Sequence, residues 1–279
     1  MLNCNRSLVV QFLCSQSIKM ILPASLTYVG HATILLEMNG LRILTDPVLR
    51  RHVGGFIRRQ VPLPAAQIKQ IDLVLISHLH FDHLDLPSLR LLGYKMPMLV
   101  PSGAGQLLRR YGFTQVQEMM VGEKVTVGGV QIEATIANHS GGRPPFGPTS
   151  ACLGYILRGQ QTIYFAGDTD LFPEMSALEQ TLDLALLPVW GWGPTLGEGH
   201  MDPHRAAQAL TLLKPRFAIP IHWGTLYPLG MSYLRPRLLS APPLLFAHHA
   251  RELAPAVDIH IIKPGQVFDS FNENAGPLG

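Results

Sequence analysis

Charge is scarce in this chain. Asp, Glu, Lys and Arg make up 15% of its 279 residues, and the formal net charge is only +3. Nucleic-acid binding normally needs a basic stripe, and none is present. Arg50-Arg51 and Arg58-Arg59 are the densest basic spots; they read first as solvated loop and second as an anion-steering patch. Cysteine is scarce too: Cys4, Cys14 and Cys152 are too few and too widely spaced for a disulfide framework or a zinc finger. That usage points to a reducing compartment, the cytoplasm. Long apolar runs are also missing. No stretch reaches the roughly 18 residues of a membrane-spanning helix, so none is expected. The run Leu8 to Cys14 is too short to span a bilayer and lacks the architecture of a signal peptide. Residues 1–20 therefore read as an N-terminal extension, available for peripheral membrane contact.

Hydrophobic residues make up 47% of the chain, which excludes disorder as its main state. Short β-type runs come first: Leu26 to Val29, Thr33 to Met38 and Leu41 to Leu44, the last two joined by Asn39-Gly40, a strong hairpin signal. Pro47 to Gln70 is turn-rich and reads as a long surface loop. Ile71 to Ser77 is continuously apolar, as a strand buried on both faces should be. Pro87 to Leu92 and Gly105 to Tyr111 read as helices, with a strand at Met98 to Val100 between them. Hairpins are expected over Lys124 to Ala137 and Cys152 to Ala166. Strands follow at Leu182 to Pro188, Arg216 to Ile221 and Asp258 to Ile262. Pro203 to Leu213 reads as a helix with Asp202 as N-cap. Strands with interspersed helices predict an α/β chain of two sheets with helices outside them. No linker divides it, so residues 21–270 read as a single domain, followed by a flexible polar tail, 271–279.

Twelve histidines in so lightly charged a chain are the telling number. His78, His80, Asp82 and His83 fall within six residues, directly after the apolar run. In an extended segment His-x-His places two imidazoles on one side, and Asp82 and His83 follow on the turn. Neutral imidazole with carboxylate suits zinc, and also manganese or iron. Four ligands cannot complete two metal sites. His139, Asp168 and His222 each follow an apolar strand and are candidates for the remainder.

The run H-x-H-x-D-H, then a lone His, then Gly167-Asp168-Thr169, then a lone His resembles the metallo-β-lactamase superfamily from about Thr27 to Gly265. The resemblance implies a four-layer αββα sandwich with the site at one edge. It implies one metal on His78, His80 and His139, a second on Asp82, His83 and His222, and Asp168 bridging them. Gly30-His31-Ala32-Thr33, Leu44-Thr45-Asp46-Pro47, His200-Met201-Asp202-Pro203 and Ile221-His222-Trp223-Gly224-Thr225 are similar to the branch holding N-acylphosphatidylethanolamine phospholipase D and L-ascorbate-6-phosphate lactonase. His204 departs from that branch, which usually carries Glu there.

The expected activity is that of a dinuclear metal-dependent hydrolase, in which two divalent ions share a hydroxide and polarise the substrate. The substrate would be a small molecule or lipid-like, and phosphodiesters rank first. A lactonase or other C–O or C–N hydrolase is the alternative, and an iron oxidoreductase a more distant one. Asp82, Asp168 and His200 are the catalytic candidates, with His200 as a substrate or leaving-group contact. His31 reads as pocket lining or as a loop pin. Asp46 reads as a structural turn or a partner for a metal-binding histidine. Trp190, Trp192 and the loop Gly141 to Pro148 could wall a pocket, with Arg143 facing an anionic group. A homo-oligomer is left open.

Overall fold

Side chains along the first strands alternate with period two, and each parity meets a different layer. In a computed structural model, which describes residues 24–271 apart from 55–56, 144, 146, 179–180 and 270, Ile34, Leu36 and Ile43 point one way and Leu35 and Leu44 the other. The first sheet carries, in spatial order, Val267–Phe268, Ser25–Gly30, Thr33–Met38, Leu41–Thr45, Leu73–Leu75, Met98–Pro101 and Val116–Met119. The second carries Asp258–Ile259, Phe217–Ile221, Leu184–Pro188, Thr162–Phe165, Leu153–Arg158, Val130–Ile136 and Lys124–Val127. Their inner faces share one core, in which Leu26, Tyr28, Ile34 and Leu75 meet Ile132, Tyr155, Phe165 and Leu186.

Helices cover both outer faces. Val74, Ile76 and Val100 on the first sheet pack under the helices Leu86–Leu92 and Gly105–Arg110. Ala185, Leu187 and Ala218 on the second pack under Pro203–Leu213 and Ala241–Leu253. The four-layer α/β sandwich expected from the sequence is therefore present, because each sheet has two apolar faces to bury.

The predicted elements recur with small shifts at their ends, and one reading needs correction. Pro47 to Gln70 is not all loop: His52–Val53 and Ile57–Arg59 form a small three-stranded sheet with Leu226–Pro228. Strands of two and three residues are too short to show a period. No element was read over the helix Ala241–Leu253. Pro242 and Pro243 sit in its first turn, where their missing N–H groups have no intrahelical partner to lose. The extension 1–20 and residues 272–279 of the tail lie outside the described residues.

Parallel pairing sets where the site lies. Leu41–Thr45, Leu73–Leu75 and Met98–Pro101 run parallel, as do Thr162–Phe165, Leu184–Pro188 and Phe217–Ile221. Their carboxyl ends therefore share one edge of each sheet, the place where open α/β sheets bind ligands. Asp202 accepts a hydrogen bond from the Arg205 N–H at 2.8 Å and caps the helix Pro203–Leu213. Asp202→Ala is expected to lower unfolding stability by about 1 kcal/mol, read as a fall in the urea midpoint with an unchanged slope.

Candidate metal centre

Each segment that follows a strand end delivers one or more polar side chains to this edge. The turn after Leu73–Leu75 delivers His78, His80, Asp82 and His83. His139 comes from the segment after Val130–Ile136, Asp168 from that after Thr162–Phe165, and His222 from that after Phe217–Ile221. Gly167 before Asp168 has φ +61°, and a Cβ there would stand 2.7 Å from that of Ser77. Only glycine lets the two strand ends approach so closely. His31, Asp46 and His222 also hold positive φ, of 60°, 35° and 63°. Such left-handed backbone is uncommon outside glycine and gathers where geometry is enforced.

The sequence-predicted residues meet in two groups. The ligand-type atoms of His78, His80 and His139 all lie within 4.8 Å of one another. Those of Asp82, His83 and His222 do the same and take in His31. Asp168 falls in one set with His78 and His83 and in another with His139 and His200, and so stands between the two groups. His78, His83 and His222 are buried, whereas His80, His139 and His200 are half-buried. The cluster is thus open on the side of the last three.

Hydrogen-bond logic fixes the tautomers. His83 Nδ1 lies 2.7 Å from Asp46 Oδ2, and a carboxylate only accepts, so Nδ1 carries the proton. His222 Nδ1 donates to the Trp190 carbonyl at 2.7 Å and His139 Nδ1 to the Gly199 carbonyl at 2.8 Å. Ser77 Oγ donates to Asp46 Oδ2 at 2.6 Å, which leaves its lone pair to accept from His78 Nδ1 at 2.9 Å. Every one of these rings therefore turns an Nε2 lone pair inward.

What those lone pairs face is the decisive observation. His83 Nε2 stands 3.1 Å from His222 Nε2 and 3.0 Å from Asp168 Oδ2, and His139 Nε2 stands 3.1 Å from His80 Nδ1. His78 Nε2 is buried with no hydrogen-bond partner, and Asp168 Oδ1 stands 3.1 Å from His222 Nε2. Acceptors this close repel unless protons or a cation lie between them. Ligands about 2.0–2.1 Å from a tetrahedral zinc ion stand roughly 3.3–3.4 Å apart, close to the spacings found here. The donor set fits a pair of divalent cations.

Without a cation the histidines nearest the carboxylates hold protons and the others stay neutral. Burial works to lower the His222 pKa, but Asp168 and Asp82 overcome it and raise it to about 9. His83 is likewise raised against burial by Asp168, Asp82 and Asp46. His139 is lowered to about 4, mainly by burial.

Two side chains behave otherwise than a pocket lining would. His31 Nε2 lies 2.8 Å from Asp82 Oδ2, its N–H donates to Thr225 Oγ1, and its carbonyl accepts the His222 N–H at 2.9 Å. Burial and the neighbouring His222 lower its pKa to about 3 despite Asp82, so it is neutral and donates to the carboxylate. Arg143 does not face an anionic group. Its Nη1 donates to the carbonyls of Leu79 and Leu84, and its guanidinium lies 4.2 Å from the Phe81 ring centre. It therefore grips the ligand-bearing turn from both ends. The roles of Ser77, of Arg143 and of the Trp190 and Gly199 carbonyls were not legible in the sequence. Only Ser77 carried a local hint, its place beside His78.

The sequence pattern described as the β-lactamase superfamily domain matches residues 41–223. The chain belongs to the β-lactamase superfamily. Its fold is that of the metallo-β-lactamases. Within the superfamily it is 32% identical to an uncharacterized protein of Mycobacterium tuberculosis over 72% of this chain and 59% of that one, so it spans well under two thirds of the length of that relative. A metal-dependent hydrolase of Rubrobacter xylanophilus is 30% identical over 88% of this chain and 96% of its own length. An N-acyl-phosphatidylethanolamine-hydrolyzing phospholipase D of Caenorhabditis elegans is 29% identical over 76% and 67%. A solved metallo hydrolase of Ignicoccus hospitalis superposes with a TM-score of 0.66 at 25% identity, covering 88% of this chain and 97% of the other.

Two outcomes are expected. Asp46→Asn, which puts an amide behind His83, should weaken metal binding about 10–100-fold with the circular dichroism unchanged. Metal uptake near pH 7 should release protons, because His83 and His222 must give theirs up. Affinity should accordingly rise with pH through the window up to about 9, the His222 value. Calorimetry in two buffers of different ionisation enthalpy reads the release.

Proposed function

We propose that this chain is a metal-dependent hydrolase acting on phosphodiesters in the manner of a phospholipase D, with residues 21–270 as one catalytic domain. The observation that carries the metal dependence is the buried cluster of inward-facing acceptors around Asp168. We assign one cation to His78, His80 and His139, a second to Asp82, His83 and His222, and Asp168 to both, with zinc the first candidate for these donors. The preference for a phosphodiester draws on the likeness to the phospholipase of C. elegans. Bound cations would supply Lewis-acid polarisation of the phosphoryl oxygen and a water acidic enough to attack near neutral pH.

The chain's own residues do the rest. Asp82 is held by His31, so its carboxylate keeps one orientation toward His83 and His222, each 3.5 Å away. His200 stands on the open side with Nε2 3.4 Å from Asp168 Oδ2. Its Nδ1 lies 3.0 Å from the Glu198 carbonyl and 3.2 Å from that of Gly197, and so carries a proton. In the cation-free chain Asp168 raises the His200 pKa against burial. We assign to His200 Nε2 the delivery of a proton to the leaving alkoxide as the P–O bond breaks and the water oxygen becomes bonded to phosphorus.

Metal analysis should find about two zinc ions per chain, and chelation should abolish turnover of a soluble aryl phosphodiester. His200→Ala should lower kcat about 10²–10⁴-fold with both metals retained. Hydrolysis of lactones but of no phosphodiester would transfer the assignment to a lactonase. One iron per chain with oxygen uptake would sink the hydrolase reading.

A further inference from the structure

Between Pro203 and Arg251 the sequence has no aspartate or glutamate, whereas Arg205, Lys214, Arg216, Arg235, Arg237 and Arg251 are cationic. The middle of this acid-free stretch is also conspicuously apolar at the surface. Leu229, Tyr233, Leu234, Leu244 and Leu245 are exposed, Tyr233 at 89% and Leu234 at 75%. Among the described residues, no 17-residue stretch outside 229–245 exposes more than three large apolar side chains. The short helices Met231–Leu234 and Pro236–Leu239 bury none of their residues. Arg235 and Arg237 stand among these side chains, both exposed.

The patch adjoins the candidate metal centre. A Cβ on Gly224, two residues after His222, would stand 2.5 Å from the Leu239 carbonyl oxygen, so the turn of Pro236–Leu239 rests directly on the His222 loop. Tyr227 Oη donates to the Arg235 carbonyl at 3.3 Å and ties the two segments together.

We propose that residues 229–245 are a docking surface for an anionic lipid bilayer, which would seat the His222 loop near the membrane. Apolar side chains mixed with arginines, and no acid among them, suit a surface that offers hydrocarbon below and negative headgroups above. A second copy of the chain suits it less well, because two-fold pairing of the patch would set Arg235 and Arg237 against their own counterparts. The proposal takes its purpose from the phosphodiesterase reading, but docking is measured without turnover.

The test is co-sedimentation of the full chain with vesicles of phosphatidylcholine mixed with phosphatidylglycerol, and with vesicles of phosphatidylcholine alone. The chain should pellet with the anionic vesicles and be released by salt. Tyr233→Ser with Leu234→Ser should weaken partitioning about tenfold. Arg235→Gln with Arg237→Gln should weaken it about fivefold per charge on the anionic vesicles only. All variants should keep wild-type turnover of the soluble phosphodiester. A wild-type chain that stays in the supernatant would overturn docking, as would variants that bind like it. A wild-type dimer dissolved by Tyr233→Ser and Leu234→Ser in light scattering would give the patch to a second copy and overturn the proposal. Vesicle binding that follows the variants as expected, with no phosphodiester turned over, would uphold docking and sink the phosphodiesterase reading instead.

Discussion

Imidazole lone pairs and carboxylate oxygens packed 3.0–3.5 Å apart repel one another, and the edge of this sandwich is built around that repulsion. Only positive charge between them makes the arrangement stable. Protons can serve, which is why His83 and His222 hold theirs so firmly. Divalent cations serve better, because each can satisfy several acceptors at once. The centre is thus made for cations by what it leaves unpaired as much as by what it contains.

Holding such acceptors in place requires support that the acceptors cannot give one another. Asp46 supplies it for His83 and, through Ser77, for His78. Backbone carbonyls supply it for His139 and His222. Arg143 ties the turn itself by its Leu79 and Leu84 carbonyls. On the far side, buried Arg59 donates to the carbonyls of Val29 and Val48, near the Gly30-His31 turn. Burial lowers its pKa to about 10, which still leaves it charged at neutral pH. Two buried arginines that bond carbonyls rather than carboxylates add positive charge near a carboxylate-bearing site without neutralising it.

The same logic separates the two ends of the chain's chemistry. The acids that matter, Asp46, Asp82 and Asp168, all come from the first two thirds of the sequence. The last third contributes His222, the helices that cover the second sheet, and the acid-free apolar surface beside the His222 loop. Cys152, buried beside the site, is a free thiol whose pKa burial pushes up to about 12, which favours its protonated form.

Much of this was legible in the sequence. H-x-H-x-D-H after an apolar run marked the centre, because alternation in an extended segment puts the first two imidazoles on one side whatever the rest of the fold does. His139, Asp168 and His222 were candidates by position, each just past a strand, and the order in which they follow the motif carried the resemblance. Period two in the strands and the cap at Asp202 predicted two sheets with helices outside. Strands of two or three residues carried no readable period. Which atoms face which was a different matter. Whether His31 lines a pocket or steadies Asp82, and whether Arg143 meets an anion or a pair of carbonyls, depended on segments between 50 and 70 residues apart in the chain. Local sequence sets residue type and periodicity; only tertiary packing sets the distances across which lone pairs, protons and charges compete.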